Sequence, residues 1–313
     1  MKASDSTKLT AFLFPAVSDW WLTLLRRGMA LQVALTCLTL RSDWQYLFSS
    51  KNGGMVNRHL GEAILDLRST AIPRLGWLVR AGHQLGLREE TVLFLAWLCL
   101  LVAALFLLLG LFCRTSAIAA WFLYLCAVKS GNLFSYGVDN FVLIGLFYLM
   151  IAPLPDRSAL DASLFSAAPP NPQRLGFHLR VLQLHLSLIY FFGGITKATG
   201  QGWWNGTSIW RALSSPPFDY VPLSTLISLR PLLILGGICV CLLEAAYPIF
   251  IWPRRTRLLW LAGVIGMHVG IALTMGLYLF SLVMIVLNLA GFGSQLHLKP
   301  PRFFRLTAGH VRL

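Results

Sequence analysis

Long apolar runs separated by short polar breaks dominate the chain from Leu24 to Gly293. Eight runs stand out, at roughly 24–40, 91–112, 116–132, 138–153, 178–197, 231–251, 258–275 and 277–293. The hydrocarbon core of a bilayer is about 30 Å thick and a helix rises about 1.5 Å per residue, so one crossing takes roughly 20 mainly apolar residues. Helix breakers or charges fall between the runs: Cys113-Arg114-Thr115, Asn132, Pro153-Leu154-Pro155, Pro231 and the basic stretch Pro253 to Arg257. The pattern predicts an all-α, polytopic integral membrane bundle of about eight transmembrane helices. It divides the chain into an N-terminal segment 1–23, a membrane domain 24–293 and a basic tail 294–313. The third and fourth runs are short, and a re-entrant path is open to either.

Two longer segments lie between runs. In the first, Leu75, Leu78, Val79, Gly82 and Leu85 share a helical face while Arg74, Arg80 and Gln84 lie off it, which predicts an amphipathic helix on the membrane surface. The second, Lys197 to Arg230, is rich in Trp, Gly and Pro.

Composition agrees with lipid as the solvent: 57% of the 313 residues are hydrophobic and 12% are charged, against roughly half and a quarter in soluble domains. The net charge of +14 is spread between the apolar runs, a pattern of loops facing anionic lipid rather than of a nucleic-acid footprint. With the N-terminus inside, 15 of the 26 Lys and Arg residues fall in inner segments and 11 in outer ones. The positive-inside rule then places both termini in the cytoplasm, in a multi-pass protein of the cell membrane. The six cysteines sit within or at the ends of apolar runs and show no CxxC spacing, so they read as packing residues and no metal is expected.

Ionisable groups inside a bilayer cost about 2.5–3.5 kcal/mol each on insertion scales, which makes them candidates for function. Lys197 closes the fifth run, and counting back in sevens gives Tyr190 and Gln183. Seven residues turn about 700°, so the three share one face of the helix. Gly193, Gly194 and Gly200 let a neighbouring backbone or a flat ligand come close. A lysine among aromatic and glycine residues loses hydration, which favours a neutral amine able to act as a base; the alternative is a lysine snorkelling to the interface. His268 sits near mid-membrane, as a helix–helix hydrogen bond or as a catalyst. Glu244 lies deep in the sixth run and must be protonated or paired, with its partner not visible. Asp139 opens the fourth run, as a helix cap or as a second polar group at the depth of Lys197.

The stretch Tyr190-Phe-Phe-Gly-Gly-Ile-Thr-Lys197-Ala-Thr-Gly-Gln-Gly-Trp203-Trp204-Asn-Gly206-Thr resembles the signature of the vitamin K-dependent gamma-carboxylase-like membrane domain, also called the horizontally transferred transmembrane (HTTM) domain. Met267-His268-Val269 with the apolar stretch to Leu289 resembles that family's His-containing span, and Ser42-Asp43-Trp44 through Gly53-Gly54 its first outward loop. The resemblance covers roughly Leu24 to Gly293. It implies a site on the extracytoplasmic side, with Lys197 and His268 as catalytic residues. Gln183, Tyr190, Gly194, Trp203 and Trp204 would line a site for reduced vitamin K or another quinone. The carboxylases carry two adjacent lysines where this chain has Thr196-Lys197, and a histidine in the region of Asn132 to Asn140 where this chain has none. The resemblance therefore favours the quinone-oxidising half of that chemistry over peptide carboxylation. The expected role is quinone-dependent support for modifying an exported peptide, which a separate partner chain presents. The alternative, from a different class, is a non-catalytic accessory or maturation factor for an exported peptide or toxin.

The charge asymmetry yields a topology prediction. In a background with the native cysteines replaced, Arg255→Cys and Asn205→Cys are expected to react with a membrane-impermeant maleimide from opposite sides, Asn205→Cys from outside. Labelling of both from one side would exclude the eight-span arrangement.

Overall fold

The computed structural model of the chain describes residues 3–51, 57–166 and 168–293. The expected basic tail 294–313, and Gly53 and Gly54 of the first loop, lie outside the described residues. Every regular element described is helical. In chain order they are α1 Ala3–Leu13, α2 Trp20–Thr39, α3 Trp44–Phe48, α4 Arg58–Asp66, α5 Leu75–Gln84, α6 Glu89–Leu109, α7 Cys113–Ser130, α8 Gly137–Ile151 and α9 Leu160–Leu164. They continue as α10 Pro172–Ala198, α11 Gln201–Trp204, α12 Thr207–Ser214, α13 Leu223–Ser228, α14 Arg230–Ala245, α15 Tyr247–Phe250, α16 Arg254–Met275 and α17 Tyr278–Phe292.

Each apolar run of the sequence is helical in the structure. Three helices, α6, α10 and α16, are long and apolar enough to cross a bilayer. The apolar helices α8 and α17 are 15 residues each, and α2 has 20 residues but carries Arg26 and Arg27. Length and composition thus give three candidate crossings, and the count of about eight remains an expectation. The sixth run is split: Pro248 cannot donate a backbone hydrogen bond, and α14 gives way to the short α15 at Ala246.

Local chemistry sets the helix ends. Asn171 caps α10 by accepting from the Gln173 and Arg174 amides, with Pro172 in the first turn. Helix α6 stops at Gly110, whose φ of 80° is left-handed. Asp161 then caps the start of α7 from across the chain, accepting from the Phe112 amide at 2.8 Å and the Cys113 amide at 2.7 Å.

Helix α2 lies at the centre, packed on α6, α8 and α17. Arg26 of α2 is fully buried and ion-paired to Asp156 at 2.6 Å. Its other donors reach the carbonyls of Leu107 and Leu108 at 2.7 and 3.0 Å and the Ser158 hydroxyl at 3.0 Å. This one guanidinium ties α2, the end of α6 and the 152–159 connection together.

The loop between the first two runs is more ordered than its charge suggests. Helix α5 forms as expected, but its Leu75, Val79 and Gly82 face is covered by α6 and α7. Arg74, which the sequence puts on the polar side, is buried, because Asp66 at 2.5 Å and the Ser69 carbonyl at 2.9 Å take its donors. Beside it Arg58 pairs with Glu89 at 2.6 Å and Glu62 at 3.3 Å, and Ser130 donates to Glu62 at 2.5 Å. Buried ion pairs of this kind persist only when every donor and acceptor is used.

Burial raises the proton affinity of Asp156, but hydrogen bonds from Arg26, Ser158 and Thr23 outweigh it, and its carboxyl is held below the usual range. A carboxyl depressed in the native state stabilises the fold fully above its unfolded value, near about 4, and loses that contribution as pH falls through the native value. Unfolding in detergent is therefore expected to become easier below about pH 4 in the wild type, and less so in an Arg26→Met/Asp156→Leu double variant. Arg26→Ala alone, which strands a buried carboxylate, is expected to cost about 3–5 kcal/mol at neutral pH.

Candidate functional site

Helix α10 carries the polar stripe read from the sequence: Gln183 and Tyr190 are buried, and Lys197 stands in its last turn. Helix α14 packs along α10 where Gly193 and Gly194 leave room. A Cβ at Gly194 would strike the backbone nitrogen of Ala245 and stand 2.7 Å from Ala245 Cα and the Glu244 carbonyl carbon. This close approach brings Glu244 to Lys197, whose Nζ lies 2.5 Å from Glu244 Oε2. The partner that the sequence did not reveal for Glu244 is Lys197. The expected hydration-starved lysine is thus a carboxylate-paired one. On its other side Lys197 Nζ lies 5.5 Å from the centre of the Trp203 ring, within the range of a cation–π contact. Trp203 is held because α14 has glycine at 237: a Cβ there would strike the Trp203 carbonyl oxygen.

Two turns below, a second polar cluster joins α10, α15, α16 and α17. The Tyr190 hydroxyl lies 2.8 Å from His268 Nε2. Asn288 Nδ2 donates to the Tyr190 hydroxyl at 2.8 Å, and the Tyr247 hydroxyl donates to Asn288 Oδ1 at 2.8 Å. The Tyr190 and Tyr247 rings stack with centroids 4.3 Å apart. His268 is 2% exposed. Sequence reasoning missed Asn288 and Tyr247. A lone amide in the otherwise apolar helix α17 was a legible signal for the first.

The other sequence candidates sit elsewhere. Gln183 donates to the Gly291 carbonyl at 2.6 Å and accepts from Arg180 at 2.9 Å, tying α10 to α17 at the far end of the stripe. Trp204 donates its indole N–H to the Ala198 carbonyl at 2.7 Å, closing the end of α10. Asp139 accepts from the Tyr136 amide at 3.0 Å and the Tyr124 hydroxyl at 2.9 Å. It caps α8 and lines a separate cavity of about 200 Å³ with Tyr124 and Ser135.

A larger apolar groove of about 900 Å³ runs between α12, α14 and α16. Trp203, Leu243, Trp260, Met267 and Phe280 are among its walls. Trp203 therefore borders both the Lys197–Glu244 pair and the groove.

Apolar helices of membrane-crossing length around a buried polar cluster define a helical membrane protein. A family model, the HTTM domain, matches residues 82–292, and the chain belongs to the HTTM domain family. No curated protein and no solved structure matches it.

The close packing at Gly194 gives a test of the site's assembly. Gly194→Ala is expected to push α14 from α10 and lower stability by about 1–3 kcal/mol, the usual cost of overpacking. The measurement is thermal unfolding in nanodiscs. An unchanged midpoint would mean that the two helices do not meet there.

Proposed function

We propose that this protein binds a reduced quinone, vitamin K or a similar lipid-soluble ring, in the groove beside Trp203. Lys197 and Glu244 would handle a proton beside the Trp203 wall of that groove, in support of modification of an exported peptide. The observation that carries this reading is the Lys197–Glu244 pair, 2.5 Å apart, against the Trp203 ring that walls the groove. The residues present fit such a ring. The groove is lined almost entirely by apolar side chains. A Cβ at Gly193 would stand 3.2 Å from Glu244 Oε2 and 3.7 Å from Lys197 Nζ, so glycine keeps one side of the pair clear. Trp203, Trp260 and Phe280 offer faces for stacking. A reduced quinone, when bound, supplies a ring hydroxyl and reducing electrons.

The chain's own part is proton handling. At rest Lys197 donates to the Glu244 carboxylate. Passing one proton along the 2.5 Å hydrogen bond to Glu244 leaves an amine and a carboxylic acid, both neutral. A poorly hydrated setting tolerates neutral partners better than isolated charges. The amine can then accept a proton at Nζ. An arginine at 197 would keep the charge and the pairing but could not give up its proton.

The second reading is a non-catalytic accessory factor that holds an exported peptide or a partner chain. It is favoured by the exposed apolar side chains of Trp204, Tyr220, Leu223 and Ile227.

One experiment separates the two readings. Oxidation of reduced vitamin K by oxygen is followed in nanodiscs containing the purified protein. Lys197→Arg is expected to lose the protein-dependent rate as fully as Lys197→Ala, by at least about tenfold, one barrier increment of 1.4 kcal/mol. A rate preserved by arginine would make Lys197 an electrostatic anchor. A wild type that neither binds nor oxidises the quinone would leave the accessory role.

A further inference from the structure

The cluster below Lys197 is a chain of hydrogen bonds whose directions follow from the Asn288 amide. Asn288 Nδ2 donates to the Met284 carbonyl at 2.8 Å. A carbonyl only accepts, so this contact identifies the nitrogen of the amide. The second amide hydrogen goes to the Tyr190 hydroxyl at 2.8 Å, leaving Oδ1 to accept from Tyr247 at 2.8 Å. The Tyr190 hydroxyl accepts from Asn288, and His268 Nε2, 2.8 Å away, is the acceptor among the described residues that its own hydrogen reaches. A ring nitrogen that accepts carries no hydrogen, and a neutral imidazole has one. His268 is therefore the tautomer with its hydrogen on Nδ1. A protonated imidazole would instead present a second N–H to Tyr190 and leave that hydroxyl's hydrogen without an acceptor.

The Nδ1 atom is buried and has no hydrogen-bond partner among the described residues. Buried donors are almost always paired, so one left open at the end of an otherwise satisfied network points to a missing acceptor. The histidine stands directly behind the groove wall. The Phe280 ring lies 5.7 Å from the imidazole, centre to centre, and Phe280 itself lines the groove with Met267 and Ile271, neighbours of His268 on α16.

We propose that His268 is a ligand-binding residue whose Nδ1–H donates to an oxygen of the ring held in the groove, reached when the Phe280 side chain turns aside. The inference rests on the groove being a ring site. It adds a second polar contact there and fixes its sign: an N–H selects a ring oxygen that accepts, such as a carbonyl. Tyr190, Asn288 and Tyr247 are positioning residues, since they set the tautomer and hold the imidazole without facing the groove themselves.

The test uses the full chain in nanodiscs with ¹⁵N-labelled histidine, and 2-methyl-1,4-naphthoquinone as probe. Without the quinone, the His268 signals are expected to show a protonated Nδ1 and a bare Nε2. In Tyr190→Phe, which removes the hydroxyl that sets the direction, that assignment is expected to be lost or mixed. Adding quinone is expected to shift the Nδ1 signal and to lower the infrared carbonyl stretch of the bound probe. In His268→Phe the stretch returns to its unbound value and affinity falls about tenfold, the loss of one hydrogen bond. A hydrogen on Nε2 in the quinone-free wild type overturns the inference. So does quinone bound equally by wild type and His268→Phe with an unshifted carbonyl, which would leave the groove standing as a ring site. Failure of the wild type to bind quinone at all removes the groove reading and this inference with it. Should His268→Phe not assemble, the wild-type Nδ1 signal decides alone: it moves on quinone addition, or the inference falls.

Discussion

Polar groups lodged between apolar helices have no water to turn to, and the relative positions of the helices follow from how those groups pair. Arg26 with Asp156 fixes α2 against the end of α6 and the connection after α8. Arg58 with Glu89 and Glu62 fixes α4 on α6, and Ser130 brings in α7. Lys197 with Glu244 fixes α10 on α14, and Tyr190 with His268 and Asn288 gathers α10, α16 and α17. Apolar packing alone would permit these helices to rotate and slide, since lipid tails are as apolar as the helix faces they compete for. The exposed pair Lys51–Glu90 has both side chains largely in solvent and contributes little by comparison.

The buried pairs are not alike, and the difference separates support from candidate chemistry. The Arg26 guanidinium has its donors taken by a carboxylate, two carbonyls and a hydroxyl, and both members of the pair are fully buried. Such a site is over-determined and has nothing left with which to bind or react. Lys197 carries three donors, yet its one hydrogen bond given among the described residues goes to Glu244, and its side chain is 27% exposed. His268 likewise uses one ring nitrogen and leaves the other open. The groups with unused capacity lie on α10, α14 and α16, beside the groove.

The sequence revealed what depends on a single helix. The seven-residue spacing of Gln183, Tyr190 and Lys197 predicted one face, and the structure places all three toward neighbouring helices. The apolar runs coincide with helices because hydrophobic length is a local property. What the sequence hid is pairing between helices. Glu244 and Lys197 are 47 positions apart, and α14 and α6 are apolar enough around their circumference that periodicity does not say which face turns inward. The Gly194 contact mattered for the same reason: glycine signals a close approach without saying to what. Arg74 was misread because a charged residue on the edge of an amphipathic face looks solvated, whereas Asp66 and three backbone carbonyls await it. The partners of Asp139 and Gln183 were hidden in the same way: Asp139 holds the Tyr136 amide at the start of its own helix and the Tyr124 hydroxyl of α7, and Gln183 holds the Gly291 carbonyl of α17.

The open donors of the site bear on what it can hold. Lys197 and His268 both present N–H groups, while the carboxylate of Glu244 is already engaged by Lys197. The surrounding groove adds aromatic and aliphatic walls. A cationic ligand would face the ammonium of Lys197 across a medium that screens poorly. A strongly charged anion would pair with Lys197 but would leave its hydration to enter an apolar groove. A flat apolar ring bearing neutral oxygens would meet both requirements, because its faces suit the indole and phenyl walls and its oxygens can accept from N–H donors. In the proposed role, proton movement between Lys197 and Glu244 would change the balance in place: once the carboxyl held the proton, the amine would become an acceptor, and a hydroxyl on the same ring could donate to it.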